Sequence, residues 1–160
     1  MIDTEAIVAR AKLAFPTDPV PPAEELRNDH CEECADVSTS FGVRPWTAVA
    51  LADIVGKETA LLNETAWRYF LPAVISWCVQ NADALDTLPE YTVYQLAPPK
   101  DGETDEWFET RKDGFTEAQR GVIVAYLEWY RDREEAEYRM LEMAPPEDVY
   151  RALEYWRAKP

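Results

Sequence analysis

Apolar residues recur along this chain at three- and four-residue intervals rather than in alternation, and that period predicts helices throughout. The first stripe, Ile7, Val8, Ala11 and Phe15, spans a helix over 4–15 with Asp3 as its N-cap. PTDPVPP at 16–22 then supplies four prolines, which remove amide donors and favour an extended, stiff connector. A second helix is expected from Pro21 or Pro22 to about Ser38, because Leu26, His30, Cys34, Val37 and Phe41 fall in one narrow arc at ~100° per residue. FGVRP interrupts the pattern and 46–55 resumes it. Asn63 reads as the cap of a helix over 64–81 that is apolar nearly all round and therefore central. Pro72 lies inside that helix and is expected to kink it.

Further on, 87–96 reads as a short helix with Pro89 in its first turn, although YTVYQL has strand propensity. Residues 97–106 form a loop. Thr116 and Gln119 make a capping box that opens the longest helix, whose stripe is Ile123, Tyr126, Leu127, Tyr130 and Leu141. Glu134 and Glu137 interrupt that stripe, and Arg131–Glu135 and Glu135–Arg139 have the spacing of ion pairs. Ala144-Pro145-Pro146 ends it, and a last helix groups Val149, Leu153 and Trp156. The expected fold is all-α, a single-domain irregular bundle of about six to eight helices around a Pro-kinked central one. Within it, 1–15 is the first helix, 16–22 the connector and 131–160 a charged C-terminal extension.

Composition adds sign and compartment. The chain has 160 residues, 47% of them hydrophobic, which suits one domain with one core. Its formal charge of −15 repels phosphate backbones and anionic lipid, so neither nucleic acid nor membrane is an expected ligand, and a basic protein partner is. No stretch reads as a signal peptide or a membrane span. Three cysteines without framework spacing fit a reducing cytoplasm.

The chemistry concentrates in NDHCEECADV, residues 28–37, which holds the single histidine and two cysteines. On the expected helix, Cys34 packs inward as a small hydrophobe and His30 sits at the edge with a hydrogen-bond partner. The alternative is a metal site, with His30, Cys31 and Cys34 as ligands for zinc, but a fourth donor is not apparent. Redox chemistry is disfavoured because the pair lies two turns inside that helix beside Glu32 and Glu33, where nothing lowers a thiol pKa. The five glycines form neither phosphate-binding loop motif, one histidine cannot build a di-iron bundle site, and no nucleophile-elbow context accompanies it. Glu134 and Glu135 are adjacent and point apart. The expectation is therefore a protein that is not an enzyme and needs no cofactor.

Taken in order, several stretches resemble a family of small, mostly bacterial proteins of uncharacterised function. They include His30-Cys31-Glu32-Glu33-Cys34, Phe41-Gly42 with Trp46, Leu61-Leu62-Asn63, Arg68-Tyr69-Phe70-Leu71-Pro72-Ala73, Leu96-Ala97-Pro98-Pro99 and Phe115-Thr116-Glu117-Ala118-Gln119, across about residues 10–130. The resemblance implies an all-helical fold and recurring roles for the HCxxC and YxLPA motifs, with Tyr69, Leu71 and Pro72 structural. It leaves the segment after Tyr130 as an addition to the common core. The function that best suits an acidic, aromatic-rich domain of this kind is neutralisation of a basic partner, an immunity-type role against a toxin. The expected contacts are Trp46, Trp107, Glu134, Glu135 and Glu137.

Overall fold

A computed structural model describes residues 2–158, among which there are nine α-helices, three short 3-10 turns and no strand. In chain order the helices are α1 (Thr4–Ala14), α2 (Ala23–Leu26), α3 (Glu32–Phe41), α4 (Leu51–Ile54), α5 (Glu64–Asn81), α6 (Leu88–Leu96), α7 (Glu106–Arg111), α8 (Glu117–Met140) and α9 (Glu147–Ala158). The all-α, single-domain reading holds. The count exceeds the expected six to eight for two reasons. What reads as one helix over 21–38 is broken into α2 and α3, and α7 follows the 97–106 loop unannounced.

The break has a local cause. The Asn28 amide donates to Ser38 Oγ at 3.0 Å, its side-chain Nδ2 to the Leu61 carbonyl at 2.7 Å, and its Oδ1 accepts the His30 amide at 3.2 Å. An asparagine that satisfies its neighbours in this way competes with the helical ladder and wins.

Central α5 is apolar on most sides, and α1, α6 and α8 pack against it. Asn63 begins it as expected, its Oδ1 accepting the Ala66 amide at 2.8 Å, while its Nδ2 also donates to the carbonyls of Glu25 and Arg27 at 2.9 and 3.0 Å. One side chain thus caps α5 and ties down the chain after α2. Helical structure runs uninterrupted through Pro72, which is buried with Leu71, and the Pro72 carbonyl accepts the Ser76 hydroxyl at 2.6 Å. Tyr69 holds the proline connector by donating its hydroxyl to the Thr17 carbonyl at 2.7 Å.

Within the segment after Tyr130, α9 is not an appendage. From α9, Val149, Ala152, Leu153 and Trp156 enter the same core as α1 and α5, and α9 packs along both α8 and α6. Leu141, expected on the buried stripe of α8, is exposed. The helix stops one residue earlier, in a Schellman-type closure: the Met143 amide donates to the Tyr138 carbonyl at 3.0 Å and the Glu142 amide to that of Arg139 at 3.3 Å. Glu142 takes φ 54° there, a left-handed conformation that costs a non-glycine residue ~1–2 kcal/mol.

Indole nitrogens stitch the elements together. Trp46 donates to the Phe15 carbonyl, Trp67 to Gln95 Oε1, Trp77 to the Val49 carbonyl, Trp107 to that of Ala60 and Trp156 to that of Leu96. Each ring brings large apolar area, and each bond spares a buried N–H the cost of going unpaired.

One buried thiol predicts a pH response. Cys78 lies against Thr92 and Tyr126, and burial pushes it up from its ordinary 9.0 to about 12, an effect that hydrogen bonds from those two residues only partly offset. An unfolded chain ionises this thiol above about pH 9, whereas the folded one does not until about 12. Its contribution is therefore complete below pH 9 and falls as pH rises toward 12, by ~1.4 kcal/mol per unit. Urea titrations from pH 7 to 10 are expected to show stability declining above pH 9, and Cys78→Ala to flatten the decline between 9 and 10, before the buried tyrosines join in.

Candidate functional site

The break after α2 moves the cysteine pair. Cys31 is not two turns inside a helix but the N-cap of α3, with extended backbone angles, and its Sγ accepts the Cys34 amide at 3.0 Å. The two form a disulfide across 5.0 Å between Cα atoms. The sulfurs differ in access: Cys31 is exposed, whereas Cys34 is only 4% exposed and packs inward with Val37 and Phe41. The expectation that Cys34 faces the core is met. That for His30 is not, since it precedes the helix and is exposed.

His30, Cys31 and Cys34 therefore do not gather as a ligand set. Among the described residues no three His, Cys, Asp or Glu side chains are placed to hold a metal ion. With Cys31 and Cys34 bonded to each other, neither sulfur offers a thiolate to zinc in this arrangement.

A helix N-terminus presents unpaired amides and the positive end of the peptide dipoles, which favour a thiolate at the cap. Glu32 and Glu33 oppose that effect, but both are exposed, where water and salt screen them. Glu33 also lines a cleft of about 400 Å³ whose other walls come from residues 55–59, 84–88, 91 and 95. Gln95 and Thr59 lie in its lining, and Gln95 Nε2 donates to Thr59 Oγ1 at 3.0 Å while its Oε1 accepts the Trp67 indole at 2.8 Å. The side chains of Gln95 and Thr59 are thus already partnered.

The expected partner contacts are scattered. Trp46 is 3% exposed and belongs to the core, so it cannot anchor a partner. Trp107 is half-buried, edge-on to Trp67 at 5.2 Å and covered by the Arg111 guanidinium at 4.2 Å from its ring centre. Burial, with Glu137 adding to it, raises the Glu134 carboxyl above its ordinary value. Glu135 accepts the Tyr150 hydroxyl at 2.7 Å rather than pairing with Arg131 or Arg139, and Arg131 turns instead to Asp132 at 2.7 Å. Glu137 is exposed. The pattern missed a different surface: Met140, Leu141 and Met143 stand 86%, 59% and 60% exposed at the α8–α9 turn, with Tyr150 at 40% beside Glu135. The signal for it was Pro145-Pro146, which stops the chain before those side chains can continue a buried stripe.

These features define an all-helical protein with an exposed cysteine at the head of one helix and an apolar turn at the end of another. The chain belongs to DUF6714, a family of unknown function, which it matches over residues 24–160. That span includes α9, so the C-terminal segment is part of what the family shares. No curated protein and no solved structure matches the chain. No described helix is long and apolar enough to cross a membrane.

Proposed function

We propose that this protein performs thiol–disulfide exchange through Cys31 and Cys34. The supporting observation is the asymmetry of the pair, an exposed sulfur at the N-cap of α3 joined to a buried one in its first turn. It replaces the ground on which redox chemistry looked unfavourable. A disulfide closing so short a loop, with a sequence separation of 3, stabilises a fold by only about 2 kcal/mol in the loop-entropy account. A reducing compartment, moreover, keeps disulfides mainly where they cycle.

In the reduced protein the Cys31 thiolate attacks one sulfur of a disulfide RSSR, forming a Cys31–S–S–R bond and expelling RS⁻. Cys34, after losing its proton, attacks Cys31 Sγ, closes the Cys31–Cys34 bond and expels the second RS⁻. Two electrons pass to the substrate, the expelled thiolates take up protons as RSH, and a small thiol such as glutathione restores the dithiol by the reverse steps. Cys31 suits the first role because it is exposed and its sulfur already accepts a helix amide. Cys34 suits the second because a buried thiol meets only the sulfur beside it.

The test is mass spectrometry of reduced protein treated with oxidised glutathione. Wild type is expected to return to its internal disulfide, Cys34→Ser to hold one glutathione on Cys31, and Cys31→Ser to react at least tenfold more slowly. Equal rates for Cys31→Ser and wild type would sink the proposal. So would one bound zinc per reduced chain, which would revive the metal alternative.

A second reading, the non-catalytic neutraliser of a basic partner such as a toxin, is supported by a separate observation: apolar side chains stand exposed at the α8–α9 turn among carboxylates. A pull-down from cell extract through a salt series tests it. A basic partner lost as salt rises supports this reading, and recovery of none counts against it.

A further inference from the structure

We propose that the α8–α9 turn is a docking surface for a cationic amphipathic helix of a partner protein. The inference deepens the neutralising reading and rests on it. Three features of the turn converge.

The first is apolar area held at one place. The Schellman-type closure brings Met143 back toward Tyr138, so Met140, Leu141 and Met143 stand exposed together at the turn, while Tyr150, exposed on α9, holds that helix to Glu135 of α8. Methionine is unbranched and polarizable, which lets such a surface mould itself to another helix's apolar stripe.

The second is charge. Between positions 131 and 148 the sequence has seven acids against three arginines. Arg131 is paired with Asp132 and Arg133 with Asp83, and Arg139 stands exposed beside Met140, so Glu137 and Glu142 outnumber the remaining cation around the methionines two to one. A second copy of this chain would bring like charge to like charge, and an anionic membrane would be repelled. A helix with leucine-type residues at i, i+3 and i+4, flanked by Lys or Arg, satisfies both the apolar and the charged components.

The third is the backbone of Glu142. Glycine or asparagine is favoured in the left-handed position of such a closure, yet here the chain has a glutamate, at φ 54°. The strained residue projects a carboxylate at the rim of the apolar patch, as expected where the charge serves recognition rather than stability.

The experiment is fluorescence anisotropy of a dye-labelled 18-residue Leu/Lys amphipathic helix titrated with the full chain. A scrambled peptide of the same composition and a Leu/Glu counterpart serve as controls. Micromolar binding is expected for the first, at least tenfold weaker binding for the scrambled one and none for the acidic one. Met140→Ser/Met143→Ser and Glu137→Gln/Glu142→Gln, both at exposed positions that leave the helical circular dichroism unchanged, are each expected to weaken binding at least tenfold. Equal binding of the scrambled peptide, or wild-type affinity in both variants, overturns the proposal. So does a dimer in sedimentation that the serine variant dissolves, which would assign the patch to a second copy. If both variants bind peptide as wild type does while the extract still yields a basic partner, the docking surface falls and the neutralising reading stands. If no partner is recovered, the reading itself fails.

Discussion

Trp156→Ala is expected to remove about 4–5 kcal/mol of stability, enough to bring a domain of ordinary stability close to its unfolding threshold. The indole is 2% exposed, meets Phe115 edge-on at 5.5 Å and Tyr155 at 5.3 Å, and donates to the Leu96 carbonyl at 2.7 Å. Alanine leaves a cavity between α9 and its neighbours and also strands that carbonyl. Trp156→Phe keeps most of the ring and loses the bond, so it should cost about 1–2 kcal/mol. Urea unfolding followed by far-ultraviolet circular dichroism separates the two. If α9 were a charged appendage, the alanine variant would lose less than about 0.5 kcal/mol, as surface substitutions do.

The second large effect is expected at Asn63. Asn63→Ala loses the cap of α5, worth about 1 kcal/mol, and both bonds to the chain after α2, together about 1–2 kcal/mol more. Asn63→Ser keeps a capping oxygen and loses only the two outward bonds, so it should fall between wild type and alanine. Hydrogen exchange adds a functional readout. In the serine variant, amides of 25–31 should exchange faster while those of α5 stay protected, because the outward bonds reach the segment that leads into Cys31. Faster exchange in α5 alone would show that the outward bonds do nothing.

The contrast between α5 and the α2–α3 region explains what can be read from residues alone. Asn63, Asp3 and the Thr116–Gln119 box announce helix starts through bonds to amides two or three positions on, and those local signals were legible. So were the periodic stripes of α1 and α9. At Asn28 the decisive bond runs to Leu61, 33 positions away. The apolar arc of Leu26, Cys34, Val37 and Phe41 continues across the break as if the helix did, and all four are buried, so the pattern gives no warning. His30, Cys31 and Cys34 stood out in the sequence as candidate chemistry, but their setting was misread, since Cys31 caps α3 and is bonded to Cys34. For the proposed thiol–disulfide exchange, the shift of Cys31 from helix interior to helix cap matters because a helix N-terminus favours the thiolate. Trp46 was misplaced for a related reason: a single 3-10 turn is too short for a period to show which way an aromatic residue faces.

The stitching by tryptophan has a practical side. All six indoles are buried or half-buried, and five of them bridge separate parts of the chain, so intrinsic emission should change on unfolding as one concerted red shift. None stands at the methionine turn, so a helix landing there should leave the spectrum nearly still. The same optical signal that reports the melting of the whole bundle would make a quiet background for watching a labelled visitor arrive.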